Sequence, residues 1–160
     1  MTKSFLVTGM HRSATSLVAG ALHNYGVDMG DELLGPGAGN PNGHFEDLRV
    51  VRANDSALFA AGGTWSEVPD NIGTVNSDTI KAITSNREGF WGMKDPRLSL
   101  TLPQWLPHMG DDPIVVAMFR HPTKIRESLE RRVPFSGDGH RLALEYQNRL
   151  LSSIKEWIES

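Results

Sequence analysis

Apolar residues in this chain come in short runs, and the runs switch between strand-like and helix-like spacing. Phe5, Leu6 and Val7 form a continuous apolar run of buried-strand length, ended by Gly9. Leu17 to Leu22, LVAGAL, is apolar throughout, which predicts a buried helix. From Glu46 to Ala61, Leu48, Val51, Leu58 and Phe59 recur at roughly helical spacing, with two acids at the start and Gly62 and Gly63 as the stop. Thr64 to Gly73 is irregular. Val75 to Glu88 predicts an exposed polar helix whose inner contacts are Ile80 and Ile83. Phe90 to Met93 predicts a second buried strand, closed by Lys94 to Arg97, where Pro96 turns Asp95 away from helical geometry. Leu98 to Met109 predicts a short helix interrupted at Pro103 and Pro107. Ile114 to Phe119 is the clearest strand. Pro122 suits the first turn of a helix running to about Arg132, and Asp138 to about Glu159 predicts an amphipathic helix striped by Leu142, Tyr146, Leu150, Ile154 and Trp157.

Strands separated by helices predict an α/β layer fold with a mainly parallel sheet, in one domain spanning residues 1–160. In such folds ligands sit beyond the carboxyl ends of the strands. Three segments take that position, Gly9 to Ser16, Lys94 to Arg97 and Arg120 to Ser128, and each carries cations. The turn-rich stretch 35–43, GPGAGNPNG, reads as a surface loop near the same site.

Composition narrows the classes. The net charge of −3 supplies no global basic field, so nucleic acid is not an expected partner. The absence of cysteine removes disulfides and thiolate metal sites and fits a reducing compartment. No apolar run approaches the roughly 18 residues of a membrane span, and no signal-peptide pattern opens the chain. A cytoplasmic protein with no membrane partner is the expectation; oligomeric state is not legible.

The first strand, the turn after it and the start of the first helix carry the most specific chemistry. Free amides at a helix N-terminus and the helix dipole favour an anion, small hydroxyl residues add donors, and Arg12 adds a fixed cation. That is a cradle for a phosphate or sulfate group. The plainer reading is a helix capped by Ser13 or Thr15 beside a solvated Arg12. A nucleotide-kinase loop would need G-x-x-x-x-G-K-[ST], and its second glycine and its lysine are both missing.

These residues resemble those of PAPS-dependent sulfotransferases, in particular bacterial sulfotransferase-like proteins. Gly9 to Ser16, GMHRSATS, is similar to the 5′-phosphosulfate loop of that family, with Ala14 standing where the family usually has glycine. Phe119, Arg120, His121 and Pro122, with Ser128 eight positions after Arg120, are similar to its 3′-phosphate motif. Trp91 to Arg97 resembles the Lys-Asp-Pro segment of tyrosylprotein-type members, and Asn40 to Asp47 resembles the acidic segment after the first helix of the bacterial ones. The resemblance spans residues 4 to about 133 in order. It implies a P-loop-like three-layer sandwich and transfer of a sulfuryl group from PAPS to a hydroxyl or amine of a small-molecule or glycan acceptor, releasing PAP, with no metal required. It further implies that Arg12, Ser13, Ala14, Thr15 and Ser16 hold the phosphosulfate, Ala14 through its backbone N–H alone, and that Arg120 and Ser128 hold the 3′-phosphate. Many relatives continue with a further strand and a basic loop after the last helix read here.

Sulfuryl transfer, like phosphoryl transfer, is mainly positioning plus charge stabilisation. Arg12 and Lys94 are the candidates for neutralising the transferring group and the leaving oxygen. Glu46 is the candidate base by resemblance, with His44 and Asp95 in reserve. Structural alternatives stand beside each: a salt bridge beside a helix for Arg120, an ordinary helix serine for Ser128, a pair with Asp95 or Asp47 for Lys94, a helix N-terminal acid for Glu46. His11 and His121 flank the two anion sites, and Trp65 and Trp91 are ring candidates for stacking or core. The competing functions are a P-loop-type nucleotide kinase or NTPase, and a non-catalytic PAP-binding module suggested by Ala14.

Overall fold

A computed structural model describes residues 2–37, 40–131, 135 and 137–160. Strands β1 (Lys3–Thr8), β2 (Phe90–Lys94) and β3 (Ile114–Ala117) form one parallel sheet in the order β2-β1-β3. In register, Val7 lies opposite Lys94 on one side and Val116 on the other. Parallel neighbours require crossovers, and the helices supply them. Helices α1 (Thr15–Asn24), α2 (Leu48–Ala60) and α3 (Ser77–Thr84) join β1 to β2. Helix α4 (Leu98–Trp105) and a 3-10 turn at Leu106–His108 join β2 to β3, and α5 (Pro122–Glu130) and α6 (Gly139–Glu159) follow.

Strand alternation divides the core in two. Leu6, Trp91, Met93, Val115 and Ala117 face α2, α4 and α6, where Val50, Leu98, Leu102, Trp105 and Leu150 pack on them. Phe5, Val7 and Val116 face the opposite way onto Val18, Ala19 and Leu22 of α1. A third cluster binds Met10, just past β1, to Ile125 and Leu129 of α5 and to Leu142, Ala143 and Tyr146 of α6. It seats the last two helices against the turn that leaves β1.

Several elements differ from expectation, and in two helices the reason is local. The helix expected over 75–88 is only Ser77–Thr84: Asn76 caps it by accepting from the Thr79 amide at 2.9 Å, while the Val75 amide is taken by Gln104 Oε1 at 2.7 Å. Ser85 is extended and Asn86 left-handed, so the chain cannot continue the helix. Helix α2 starts at Leu48, not at Glu46, because the Asp47 carboxylate caps it through the Arg49 amide. Glu46 is therefore outside the helix, its carbonyl accepting from the Leu34 amide at 2.7 Å. Phe90 begins β2 exposed rather than buried, and β3 ends at Ala117, leaving Phe119 exposed. The expected end of α5 near Arg132 lies outside the described residues, as do Ala38 and Gly39 of the glycine-rich loop.

Candidate functional site

The site begins where β1 ends. Gly9 lies so close to the exit of β3 that a Cβ there would stand 2.3 Å from the Met118 carbonyl oxygen. Met10 buries its side chain, which anchors the turn, and the Ser13 amide closes back on the Met10 carbonyl at 3.1 Å. Arg12 and Ala14 both adopt left-handed backbone, at φ 72° and 65°. Such conformations cost non-glycine residues of order 1–3 kcal/mol each and collect at ligand-binding turns. Leu17 and Val18 donate to the Ala14 carbonyl, so the amides of Thr15 and Ser16 are the ones α1 leaves without an intrahelical acceptor. No side chain caps α1. The Ser13 hydroxyl is 2 % exposed and has no hydrogen-bond partner, a cost of about 1–3 kcal/mol that a bound anion or water would remove. The capped-helix reading of this turn, with Ser13 or Thr15 as cap, is thus not what the chain adopts.

Helix α5 delivers the second group. His121 caps it through its ring Nδ1, which accepts from the Thr123 amide at 3.3 Å, and Pro122 occupies the first turn. Ser128 lies on the buried face of α5 beside Ile125 and Leu129. Its hydroxyl accepts from Arg12 Nε at 2.9 Å. Arg120 donates through Nη1 to the Arg12 carbonyl at 2.8 Å, and its own carbonyl accepts from Gln147 Nε2 of α6 at 2.6 Å. Arg12 joins Arg120 and Ser128, each more than a hundred residues further along the chain, in one hydrogen-bonded group at the mouth of the turn.

The third group comes from β2. Lys94 projects to the α1 side of the sheet, 2 % exposed, where it forms an ion pair with Glu46 and donates to Ser16 Oγ at 3.2 Å. Glu46 reaches it because Leu33 and Leu34 pair with 46–47 as a short antiparallel ribbon. The expected structural partners of Lys94 were Asp95 and Asp47; both are engaged elsewhere. Burial alone would raise the Asp47 carboxyl, but hydrogen bonds from Arg49 and from the Arg49 and Asp31 amides outweigh it and hold the group below the usual carboxylate range. Asp95 accepts from the Arg97 amide at 3.0 Å, Arg97 Nη1 at 2.9 Å and Asn54 Nδ2 at 2.8 Å, which leaves it an anchor rather than a free base.

Under the site runs a polar network that sequence reading missed. Asn54 Oδ1 accepts from Thr101 Oγ1 at 2.8 Å and Trp105 Nε1 at 2.9 Å while its amide holds Asp95. Arg97 bridges Asp95 and Asp55; burial works against its charge, but the two carboxylates prevail and push its pKa further up. The available signal was periodic: Val50, Asn54, Ala57 and Leu58 occupy the buried face of α2, so Asn54 is a polar residue in an apolar stripe.

His11 completes the floor. Its ring lies 4.5 Å from that of Trp65 and 6.0 Å from that of Tyr146, and its Nδ1 is buried without a partner. Tyr146 Oη fixes the Trp65 segment by donating to the Trp65 carbonyl at 2.8 Å. Desolvation, followed by the positive charges of Arg97, Lys94, Arg12 and His44, holds the His11 imidazole well below its ordinary pKa. Burial is the larger cause, and the neighbouring charges act in the same direction. Trp65 therefore packs on His11, and Trp91 belongs to the main core.

The structure thus brings Arg12, Ser13, Ala14, Thr15, Ser16, Glu46, Lys94, Arg120 and Ser128 to the carboxyl ends of the three strands. Among the described residues no group of three or more His, Asp or Glu side chains is placed to hold a metal ion, and no helix is long and apolar enough to cross a membrane. Comparison of the chain with family models, with curated proteins and with solved structures finds no match in any of the three.

Proposed function

We propose that the chain is a PAPS-dependent sulfotransferase of P-loop-like, three-layer architecture, moving a sulfuryl group to a hydroxyl or amine of a small-molecule or glycan acceptor. The observation that carries this reading is the junction of Arg120 and Ser128 with Arg12, beside the orphaned Ser13 hydroxyl and the open amides of Thr15 and Ser16. In this reading one anionic end of the ligand goes to the turn and the other to Arg120 and Ser128 beside it. PAPS, when bound, supplies the activated sulfuryl group. Ser13, Thr15 and Ser16 hold the phosphosulfate end through hydroxyls and amides, with Ala14 contributing its N–H. Arg12 and Lys94 offset charge at the transferring group, Arg120 and Ser128 orient the 3′-phosphate, and Glu46 takes the acceptor proton. A cytoplasmic setting accords with the cysteine-free sequence.

One observation favours the binding-only alternative: Glu46 and Lys94 are engaged with each other, so neither catalytic candidate faces the turn unpaired. Thermal shift with PAP against ATP plus Mg²⁺ separates a sulfotransferase-type site from a kinase or NTPase. Transfer of label from ³⁵S-PAPS to an acceptor pool, abolished in Glu46→Gln while PAP binding persists, distinguishes an enzyme from a binding module. Stabilisation by ATP–Mg²⁺ and not by PAP overturns the proposal.

A further inference from the structure

The Lys94–Glu46 pair lies against the anion turn rather than apart from it. Lys94 Nζ touches Ser16, the second residue of α1, whose amide is among those the helix leaves open. Glu46 is itself buried, and its backbone is pinned by Leu34. A carboxylate and a cation thus sit together where an incoming anion would need the cation. Lysine carries three donors on a flexible stem, so it can keep Ser16 while changing its anionic partner.

We infer that Glu46 is a built-in competitor for the anion: in the empty site it occupies Lys94, and a ligand phosphate or sulfate group at the α1 N-terminus displaces it, drawing Nζ onto the ligand. The exchange replaces a monoanion by a more highly charged group and turns the Glu46 carboxylate out of its ion pair only when the turn is filled. Glu46 is then released in step with ligand arrival. This inference rests on the anion-site reading above and adds its regulation.

The two partners must then have opposite effects on binding. A purely structural pair would behave otherwise, because removing either partner would loosen the turn, lowering stability and affinity together. The test is calorimetric titration of inorganic pyrophosphate, and separately of PAP, into wild type, Glu46→Gln, Lys94→Met and the double variant, with thermal melts of each. In Glu46→Gln, pyrophosphate is expected to bind about 10-fold tighter while the melting temperature falls; in Lys94→Met it is expected to bind about 10-fold more weakly. The loss on removing Lys94 is expected to be larger in the Glu46→Gln background than in wild type. Should Glu46→Gln not melt cooperatively, Glu46→Asp, which withdraws the carboxylate by one methylene, takes its place with a smaller gain expected. Unchanged or weaker pyrophosphate binding in the Glu46 variants overturns the exchange. If pyrophosphate follows this pattern but PAP binds no better than pyrophosphate, the exchange stands and the nucleotide reading falls. If neither ligand binds wild type or Glu46→Gln, both fall.

Discussion

The Arg120 guanidinium donates to the carbonyl oxygen of Arg12 at 2.8 Å, fastening the exit of the third strand to the turn after the first. The same Arg12 gives its Nε to Ser128. Two cations and a hydroxyl are thereby held at one spot by contacts they make with one another. A charge-assisted hydrogen bond to a ligand contributes roughly 1.5–3 kcal/mol, so Arg120→Ala is expected to weaken PAP by one to two orders of magnitude. Arg120 is exposed, and loss of its bond to the Arg12 carbonyl is expected to cost the variant only about 1 kcal/mol of stability. Equal PAP affinity in wild type and Arg120→Ala, measured by calorimetry, would remove the site assignment.

Ala14 meets a backbone demand that glycine satisfies without strain. At φ 65° its methyl costs about 1–2 kcal/mol, while glycine in its place would add about 0.4–1 kcal/mol of unfolded-state entropy to be lost on folding. Ala14→Gly is expected to leave the melting temperature unchanged or slightly raised. Ala14→Val, β-branched in the left-handed region, is expected to lower stability by more than about 1 kcal/mol. Chemical denaturation of the pair reads both. A marked loss in Ala14→Gly would show that the turn is not left-handed at this position.

Asn54 satisfies three buried partners at once. Asn54→Ala orphans Trp105 Nε1 and one Asp95 oxygen and leaves the Thr101 hydroxyl only the Arg97 carbonyl at 3.3 Å, and is expected to cost about 2–4 kcal/mol. For a chain of this size that is a drop of very roughly 5–15 °C in melting temperature. A loss below about 1 kcal/mol would mean that the network is solvated rather than sealed.

His11 sets a pH dependence with a definite sign. Its folded pKa lies below the ordinary 6.5, so between those two values the unfolded chain binds the extra proton. Stability contributed by the neutral imidazole is full above about pH 6.5 and is lost as pH falls through the folded pKa, at no more than about 1.4 kcal/mol per pH unit. Denaturation across pH 5–8 is expected to show a steeper acid-side loss in wild type than in His11→Asn. Parallel curves would mean that the imidazole takes up its proton alike in the folded and the unfolded chain.

Local patterns carried far. The apolar run at Phe5 to Val7, the stripe of the last helix, the stop at Gly62 and Gly63 and the first-turn Pro122 are all short-range signals, and the structure has a strand, a helix, a stop and a helix start there. The concentration of cations after each strand was likewise readable, because a parallel sheet puts all its carboxyl ends on one edge. Boundaries shifted where a side chain competed for a backbone group, as Asp47 does at the Arg49 amide and Gln104 at the Val75 amide.

By itself, then, the sequence determined the alternation of strands and helices, the turn at Gly9 to Ser16 and the set of charged residues available to it. Only the tertiary structure decided that Lys94 pairs with Glu46, that Asn54 holds Asp95 beneath the site, and that Arg120 and Ser128 meet on Arg12. Periodicity and turn chemistry act over a few residues, whereas these pairings are set by strand register and helix packing between segments 41 to 116 positions apart.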